Sequence, residues 1–172
     1  MFKFHSVIKA DAQFLSNPID LILRSPPAVI EQLHEKDYYL WLKNTANLLR
    51  EKNLAELDLP HLIEEIEDMG KRERRALYSN LKILLMHLLK YRYQPEKRSN
   101  SWRYTIEEHR QRIAEAFSDS PSLKGYLLET FEKCYQDAKK LAAKETGLAL
   151  EAFPTESPFT TDETLESDYL PS

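Results

Sequence analysis

The sequence has only three glycines in 172 residues and no repeated alternation of β-branched with polar residues. Both features argue against a sheet, because strands are marked by that alternation and by the turns between them. The single cysteine, Cys134, excludes an internal disulfide. No apolar run approaches the roughly 18 residues of a membrane span, and the N-terminus lacks the pattern of an export signal. These absences predict an all-α protein in the cytoplasm.

Length and charge indicate the number of domains and the distribution of charge along the chain. A chain of 172 residues that is 42% hydrophobic fits one domain, large enough to bury about 70% of the surface of its unfolded form. The net charge of −4 conceals an uneven distribution: residues 71–112 hold twelve of the 24 Lys and Arg against four acids, whereas 147–172 hold six acids and no base. We therefore expect a basic middle and an acidic tail.

The chain is organised around one long helix predicted at about 59–93. Asp58 supplies the N-cap and Pro60 falls in the first turn, where a missing N–H costs nothing. Between Lys82 and Lys90 the residues are apolar on all sides except at His87, so this half should be the centre of the molecule. In the first half we expect one buried stripe, formed by Leu59, Leu62, Ile66 and Met69.

The remaining elements complete a compact helical bundle of about four main helices around this long central helix. One helix should run toward residue 51, and another should begin at Ser99 or Ser101. A further helix should begin with Ser120 as its cap and last to about Thr146, before a stop at Gly147. After residue 151 we expect an extended, docked C-terminal tail with one helical turn at 162–165. Residues 1–35 are interpreted as an N-terminal arm that could be mobile, and 36–172 as a single domain.

Several short runs match, in order, the pattern of a known family. They are 37–42 (DYYLWL), 59–65 (LPHLIEE), 69–70 (MG), 84–90 (LLMHLLK), 94–96 (QPE), 98–102 (RSNSW), 105–106 (TI), 158–160 (PFT) and 168–171 (DYLP). Over residues 36–171 the chain resembles the DUF29 family of uncharacterised, mostly cyanobacterial and proteobacterial proteins. The resemblance implies a compact helical bundle of bacterial origin. It does not point to any particular activity. Ser157 stands where many members have a Cys, so a role of that Cys would be absent here.

The most distinctive polar group is His87, in the most apolar run. We define the His87 cluster as His87, Tyr91, Gln94, Arg98, Trp102 and Thr105. Tyr91 and Gln94 share one flank of the helix with His87, and the other three follow a loop that could return to it. A buried ring must be neutral and hydrogen-bonded or carry a paired charge. We predict that His87 is neutral, with a lowered pKa, and ties the helix end to the loop. The alternative is a pocket for a small ligand or a partner.

Two weaker patterns concern metal and catalytic chemistry. A metal site needs several convergent ligands, and the available spacings are Glu31 with His34 and His61 with Glu65. One pair does not close a site, so we predict no metal and no cofactor. Arg103 and His109 resemble the motif of HEPN-type helical ribonucleases, but six residues on a helix separate two side chains by about 240°. We assign no catalytic residues and do not favour an enzyme.

A basic face, defined as Lys71, Arg75, Tyr78 and Lys82, follows one side of the long helix. Such a stripe could track phosphates, but the overall pI of about 5.8 and the acidic tail favour a solvated surface. We predict a protein that acts through a protein partner or self-association, by its surface or by the His87 cluster, without contacting membranes. The alternative is a nucleic-acid-associated protein, or a metal-independent ribonuclease, that uses the basic residues 71–112.

Overall fold

The computed structural model describes residues 33–172, beginning with a helical segment at 33–36. Helix α1 follows at Tyr38–Arg50, and the side chain of Asp37 caps it by accepting from the backbone N–H of Leu40 over 3.0 Å. A 3₁₀ turn at Leu54–Glu56 leads toward the long helix. Apart from 33–35, the predicted arm lies outside the described residues.

Helix α2 spans Leu59–Tyr93, 35 residues, or about 52 Å at 1.5 Å per residue. The predicted bounds are confirmed. Asp58 caps the helix by accepting from the backbone N–H of His61 at 3.4 Å. The helix continues through Gly70, and apart from its chain neighbours and the adjacent backbone of its own helix, no heavy atom lies within 4 Å of the place where a Cβ would stand there. Gly70 therefore marks neither a break nor a close crossing with another described element.

Three further helices complete the described chain. After a 3₁₀ turn at Pro95–Lys97, α3 spans Asn100–Asp119 and is capped by Ser99, one of the two predicted caps. Helix α4 spans Leu123–Thr146, and a third 3₁₀ turn follows at Leu150–Ala152. The short α5, Thr161–Leu165, carries a capping box and corresponds to the predicted turn. No strand occurs in residues 33–172, so the all-α class is confirmed.

The ends of α4 test two local predictions. Gly147 stops the helix with φ of +74°, and its N–H donates to the carbonyl of Ala143 over 3.0 Å. This left-handed stop is as expected for glycine. The predicted cap, Ser120, is wrong: its backbone N–H donates to Ala116, so Ser120 ends α3 instead. Ser122 precedes α4 without a side-chain capping bond.

Contacts divide the chain into two compact units, with the boundary between Glu67 and Asp68. In the first unit Trp41 and Leu48 form the core, and the partly buried side chains packed on them are Leu33, Leu57 and Leu62. The predicted buried stripe of α2 is wrong, because only Leu62 joins this core. Leu59 is 48% exposed and Ile66 60%, and Met69, in the second unit, is 61% exposed. The reason is that α1 contacts the flank of α2 that carries Asp58 and Glu65, beside Leu62.

The second unit has the larger core. Its centre is the apolar run of α2, where Leu84, Leu85, Leu88 and Leu89 are completely buried, as predicted. Helix α3 adds Ile106 and Ile113, and α4 adds Leu127, Cys134, Tyr135, Ala138 and Ala142. Burial raises the pKa of the Cys134 thiol to about 12, which agrees with the structural role expected of a buried thiol.

The C-terminal tail is docked, as predicted. Phe153 and Phe159 are buried in the core of the second unit. The hydroxyl of Tyr135 donates to the carbonyl of Pro154 over 2.7 Å. The side chain of Arg110 on α3 donates to three tail carbonyls, those of Thr164, Ser167 and Tyr169. Among the helices of residues 33–172, none is long and apolar enough to cross a membrane.

Candidate functional site

The structure leaves His87 without the hydrogen bond that was predicted for it. Its Nδ1 atom is buried and has no hydrogen-bond partner within residues 33–172. Burial, helped by the positive charge of Lys90, lowers the pKa of His87 to about 4, against a smaller opposing effect of Glu145. The direction of the shift agrees with the prediction of a neutral ring. The predicted tie to the loop is not seen, because no described residue forms a hydrogen bond with Nδ1 of the ring.

Arg98 and Tyr91 of the His87 cluster do come together. Arg98 donates from Nε to the carbonyl of Tyr91 over 2.8 Å, and its guanidinium lies 4.4 Å from the centre of the Tyr91 ring. Arg98 also donates from Nη2 to the carbonyl of Pro171 over 3.2 Å. The Tyr91 hydroxyl accepts from Arg103 on α3. These contacts join the end of α2, the following loop and the tail.

The other members of the cluster have separate partners. Gln94 donates to the carbonyl of Thr146 at the end of α4 over 3.3 Å. The Thr105 hydroxyl donates to the carbonyl of Ser101 in its own helix. Trp102 faces the ammonium of Lys90, which lies 4.7 Å from the ring centre. The predicted cluster is therefore distributed over several contacts and does not converge on one point.

Lys90 and Glu145 are the pair that sequence reasoning missed at this end of α2. Their charged atoms, Nζ and Oε2, are 2.5 Å apart, and the Lys90 side chain is 9% exposed. The signal available in the sequence was a lysine that directly ends an apolar run. Its carboxylate partner, 55 residues later, could not be assigned without the packing of α4 on α2.

The basic face is only partly open. The Tyr78 hydroxyl donates to Asp137 on α4 over 2.7 Å, and Lys82 on the same side is partly buried. Lys71 lies 2.8 Å from the carboxylate of Asp68. Lys71 and Arg75 are exposed. Because half of the stripe is turned toward α4, it does not form the continuous exposed track that a phosphate backbone would follow.

Arg103 and His109 are held at different places along α2. Arg103 donates to the hydroxyl of Tyr91, and His109 donates from Nδ1 to the side-chain oxygen of Asn80 over 2.8 Å. These two partners, Tyr91 and Asn80, are eleven positions apart on α2, which corresponds to about 16 Å along the helix axis. The geometry gives no support to a ribonuclease pair acting on one phosphate.

In the first unit, four rings form a cluster that sequence reasoning missed: His34, Tyr38, Trp41 and His61. The imidazoles of His34 and His61 are stacked, with centroids 4.4 Å apart and planes inclined by 18°. His34 lies against Trp41 edge-on, at 4.8 Å between centroids. The sequence indicates these two histidines only as candidate metal ligands, because their stacking depends on how the helical segment 33–36 packs on α2.

Two carboxylates hold this ring cluster. Buried Asp58 accepts from Nδ1 of His61 over 2.6 Å and from the indole N–H of Trp41 over 3.2 Å. Glu65 accepts from the hydroxyl of Tyr38 over 2.7 Å and lies 3.1 Å from Nε2 of His34. Within residues 33–172, no three His, Cys, Asp or Glu side chains are grouped to hold a metal. Of the two pairs predicted from the sequence as possible metal ligands, the pair of Glu31 and His34 cannot be followed, because Glu31 lies outside the described residues.

Two polar side chains of α1 are buried without hydrogen-bond partners among residues 33–172. They are Asn44 and Thr45, which are 2% and 3% exposed, and this holds for the amide of the first and the hydroxyl of the second. They lie one helical turn from Trp41 and from Leu48, on the buried side of the helix. Such groups destabilise a fold unless something satisfies them.

Comparison with known proteins supports the resemblance seen in the sequence. Residues 33–170 match the family described as domain of unknown function DUF29. The chain belongs to the DUF29 family. No curated protein and no solved structure matches it. The family match begins at residue 33 and ends at residue 170, so the ring cluster, α1 and the docked tail as far as Leu170 belong to the DUF29 region.

The first unit of this DUF29 protein also presents an apolar surface. We define the apolar face as Leu59, Ile63 and Ile66, which follow one another on α2 at spacings of four and three residues and are 48%, 55% and 60% exposed. Thirteen large hydrophobic side chains are exposed among the described residues, and eight of them lie in residues 33–67. This concentration distinguishes the first unit from the second, which has three times as many described residues.

Proposed function

We propose that this DUF29 protein is a cytoplasmic protein-interaction module and that the apolar face of α2 is its contact surface. The observation that supports the proposal is the exposure of Leu59, Ile63 and Ile66 on consecutive turns of one helix. An apolar helical face with this spacing is a common recognition surface in protein complexes. Single exposed leucines need no such explanation, but an ordered row of them does.

The His87 cluster is the weaker candidate for the contact surface. Tyr91, Gln94 and Arg98 donate to or accept from groups of the same unit, and Lys90 is paired with Glu145. A partner would have to replace these bonds, at a cost comparable to the gain. The apolar face has no such internal bonds to lose.

Association with nucleic acid is the alternative and has less support. Three arginines of the basic segment, Arg92, Arg98 and Arg110, donate to carbonyls of the acidic tail. Tyr78 is bonded to Asp137. Retention on nucleic acid that falls linearly with the logarithm of salt concentration would favour this alternative.

The proposal can be tested by affinity purification of the full chain from native cells. Ile63→Glu places a charge in the centre of the apolar face, and Leu128→Glu makes the same kind of change at a leucine of α4 that is 64% exposed, compared with 55% for Ile63. We expect a protein that co-purifies at high salt with the wild type and with Leu128→Glu, and is lost with Ile63→Glu. Both variants should unfold within about 0.5 kcal/mol of the wild type, since both positions are exposed.

Two results would contradict the proposal. One is a set of co-purifying proteins that Ile63→Glu leaves unchanged. The other is a loss of more than about 2 kcal/mol in the free energy of unfolding of Ile63→Glu, which is the cost of placing a charge in a buried site. That loss would show that another part of the same chain covers the face.

A further inference from the structure

The apolar face has an acidic border. Residues 53–67 contain five acidic residues and no Lys or Arg. Asp58 and Glu65 are bonded within the ring cluster, whereas Glu64 and Glu67 are exposed. On a helix of 3.6 residues per turn, Glu67 lies about 40° from Ile63 and Glu64 about 100° from it in the same direction. Both carboxylates therefore stand along one side of the apolar face.

This charge distribution selects among the classes of partner. Nucleic acid and anionic membrane surfaces carry the same sign of charge as Glu64 and Glu67, so these two carboxylates disfavour their binding at the apolar face. A second copy that docked the same face antiparallel about a two-fold axis would bring the two acidic borders to the same side, with no Lys or Arg within 53–67 to offset them. A partner with basic residues beside its apolar positions gains attraction at both carboxylates.

The spacing of the face selects the shape of the partner. Leu59 and Ile66 lie about 10 Å apart along the helix axis at 1.5 Å per residue. Ridges formed by residues three and four apart pack into the grooves of another helix, whereas a strand offers side chains with a period of two. The apolar face therefore fits an amphipathic helix over about two turns.

Resting on the function proposed above, we propose that the apolar face binds an amphipathic helix of a different protein, with Lys or Arg along one side of its apolar stripe. The apolar contacts with Ile63 and Ile66 supply affinity, and Glu64 and Glu67 supply orientation and discrimination. Raising the salt concentration screens the attraction at the exposed carboxylates, whereas the apolar contacts persist, so binding survives high salt but discriminates less between partners.

The test uses two panels of synthetic helical peptides with identical Leu and Ile stripes, one bordered by Lys and Arg and the other by Glu. Binding to the full-length protein is followed by fluorescence anisotropy. We expect the basic panel to bind at least about tenfold more tightly at low salt, with the difference shrinking in high salt. Ile63→Glu should abolish binding of the basic panel, and Leu128→Glu should leave it unchanged.

The charges are tested separately. The double variant Glu64→Lys/Glu67→Lys should weaken the basic panel by roughly five- to tenfold and strengthen the acidic one, as expected for two exposed charge pairs that change sign. Glu129→Lys, at an exposed position of α4, is the matched control and should change neither. Equal binding of both panels, lost in Ile63→Glu, would overturn the basic partner while leaving the contact surface in place. Binding of neither panel, or a concentration-dependent dimer that Ile63→Glu disrupts, would overturn the inference.

Discussion

Arg110 donates from Nη2 to the carbonyl oxygen of Tyr169 over 2.7 Å, and its Nε and Nη1 atoms donate to two more carbonyls of the tail. Arg110 is only 5% exposed. Burial lowers the pKa of its guanidinium, although nearby acids oppose the shift. Because the arginine binds backbone rather than side chains, it fixes the path of the tail.

Replacing Arg110 should therefore destabilise the protein. Arg110→Met keeps much of the volume but removes the donors to three carbonyls, and we expect a loss of about 2 to 4 kcal/mol in the free energy of unfolding in urea. Arg112→Met is the control, because that exposed side chain only pairs with Glu108 on its own helix. Its loss should stay below about 0.5 kcal/mol. Equal losses in the two variants would show that the tail does not depend on Arg110.

Leu85 tests whether the apolar run of α2 is the core of the second unit. The side chain is completely buried, so Leu85→Ala should cost about 2 to 5 kcal/mol through lost burial and the cavity left behind. Unfolding midpoints of wild type and variant provide the measurement. Leu128→Ala, at an exposed position of α4, should cost far less. A loss under about 0.5 kcal/mol for Leu85→Ala would contradict the assignment.

His87 should make stability depend on pH in a defined direction. Its pKa is about 4 in the folded protein, below the unfolded value near 6.5, so the unfolded chain binds the proton more readily. Stability is unaffected by this group above about pH 6.5 and is lost as the pH falls from there toward 4. His87→Gln should reduce the loss of stability between pH 7.5 and pH 5. The slope should not vanish, because burial also lowers the pKa of His109.

An NMR titration of His87 gives the direct measurement. A pKa above about 7 would mean a charged, paired ring and would contradict the prediction. If the stability of His87→Gln depended on pH as strongly as that of the wild type, titratable groups other than His87 would be responsible for the dependence.

Thr45 offers a stabilising substitution. Its buried hydroxyl has no hydrogen bond to the part of the chain that the structure describes, and Thr45→Val removes the polar atom while keeping the shape. We expect a gain of about 1 kcal/mol in thermal or urea unfolding. Thr105→Val is the control, since the Thr105 hydroxyl is bonded to the carbonyl of Ser101, and it should bring no gain. A loss in Thr45→Val would indicate that this hydroxyl has a partner.

Local signals in the sequence predicted the element bounds well. Asp58 and Pro60 marked the start of α2, and Gly147 marked the end of α4. Caps and restricted φ angles act within a few residues, so they can be recognised without the rest of the fold. The apolar run around Leu85 likewise predicted a buried centre, because a helix that is apolar on all sides must be covered on all sides.

Tertiary structure alone decided which surfaces are covered and which polar groups meet. The period of Leu59, Leu62 and Ile66 indicates an apolar stripe, but only the position of α1 shows that Leu62 is packed while its neighbours are exposed. The stacking of His34 on His61 joins residues 27 apart in the chain, by the geometry of two helices. Capping depends on the energies of neighbouring residues, whereas burial and pairing depend on long-range packing, which no local pattern specifies.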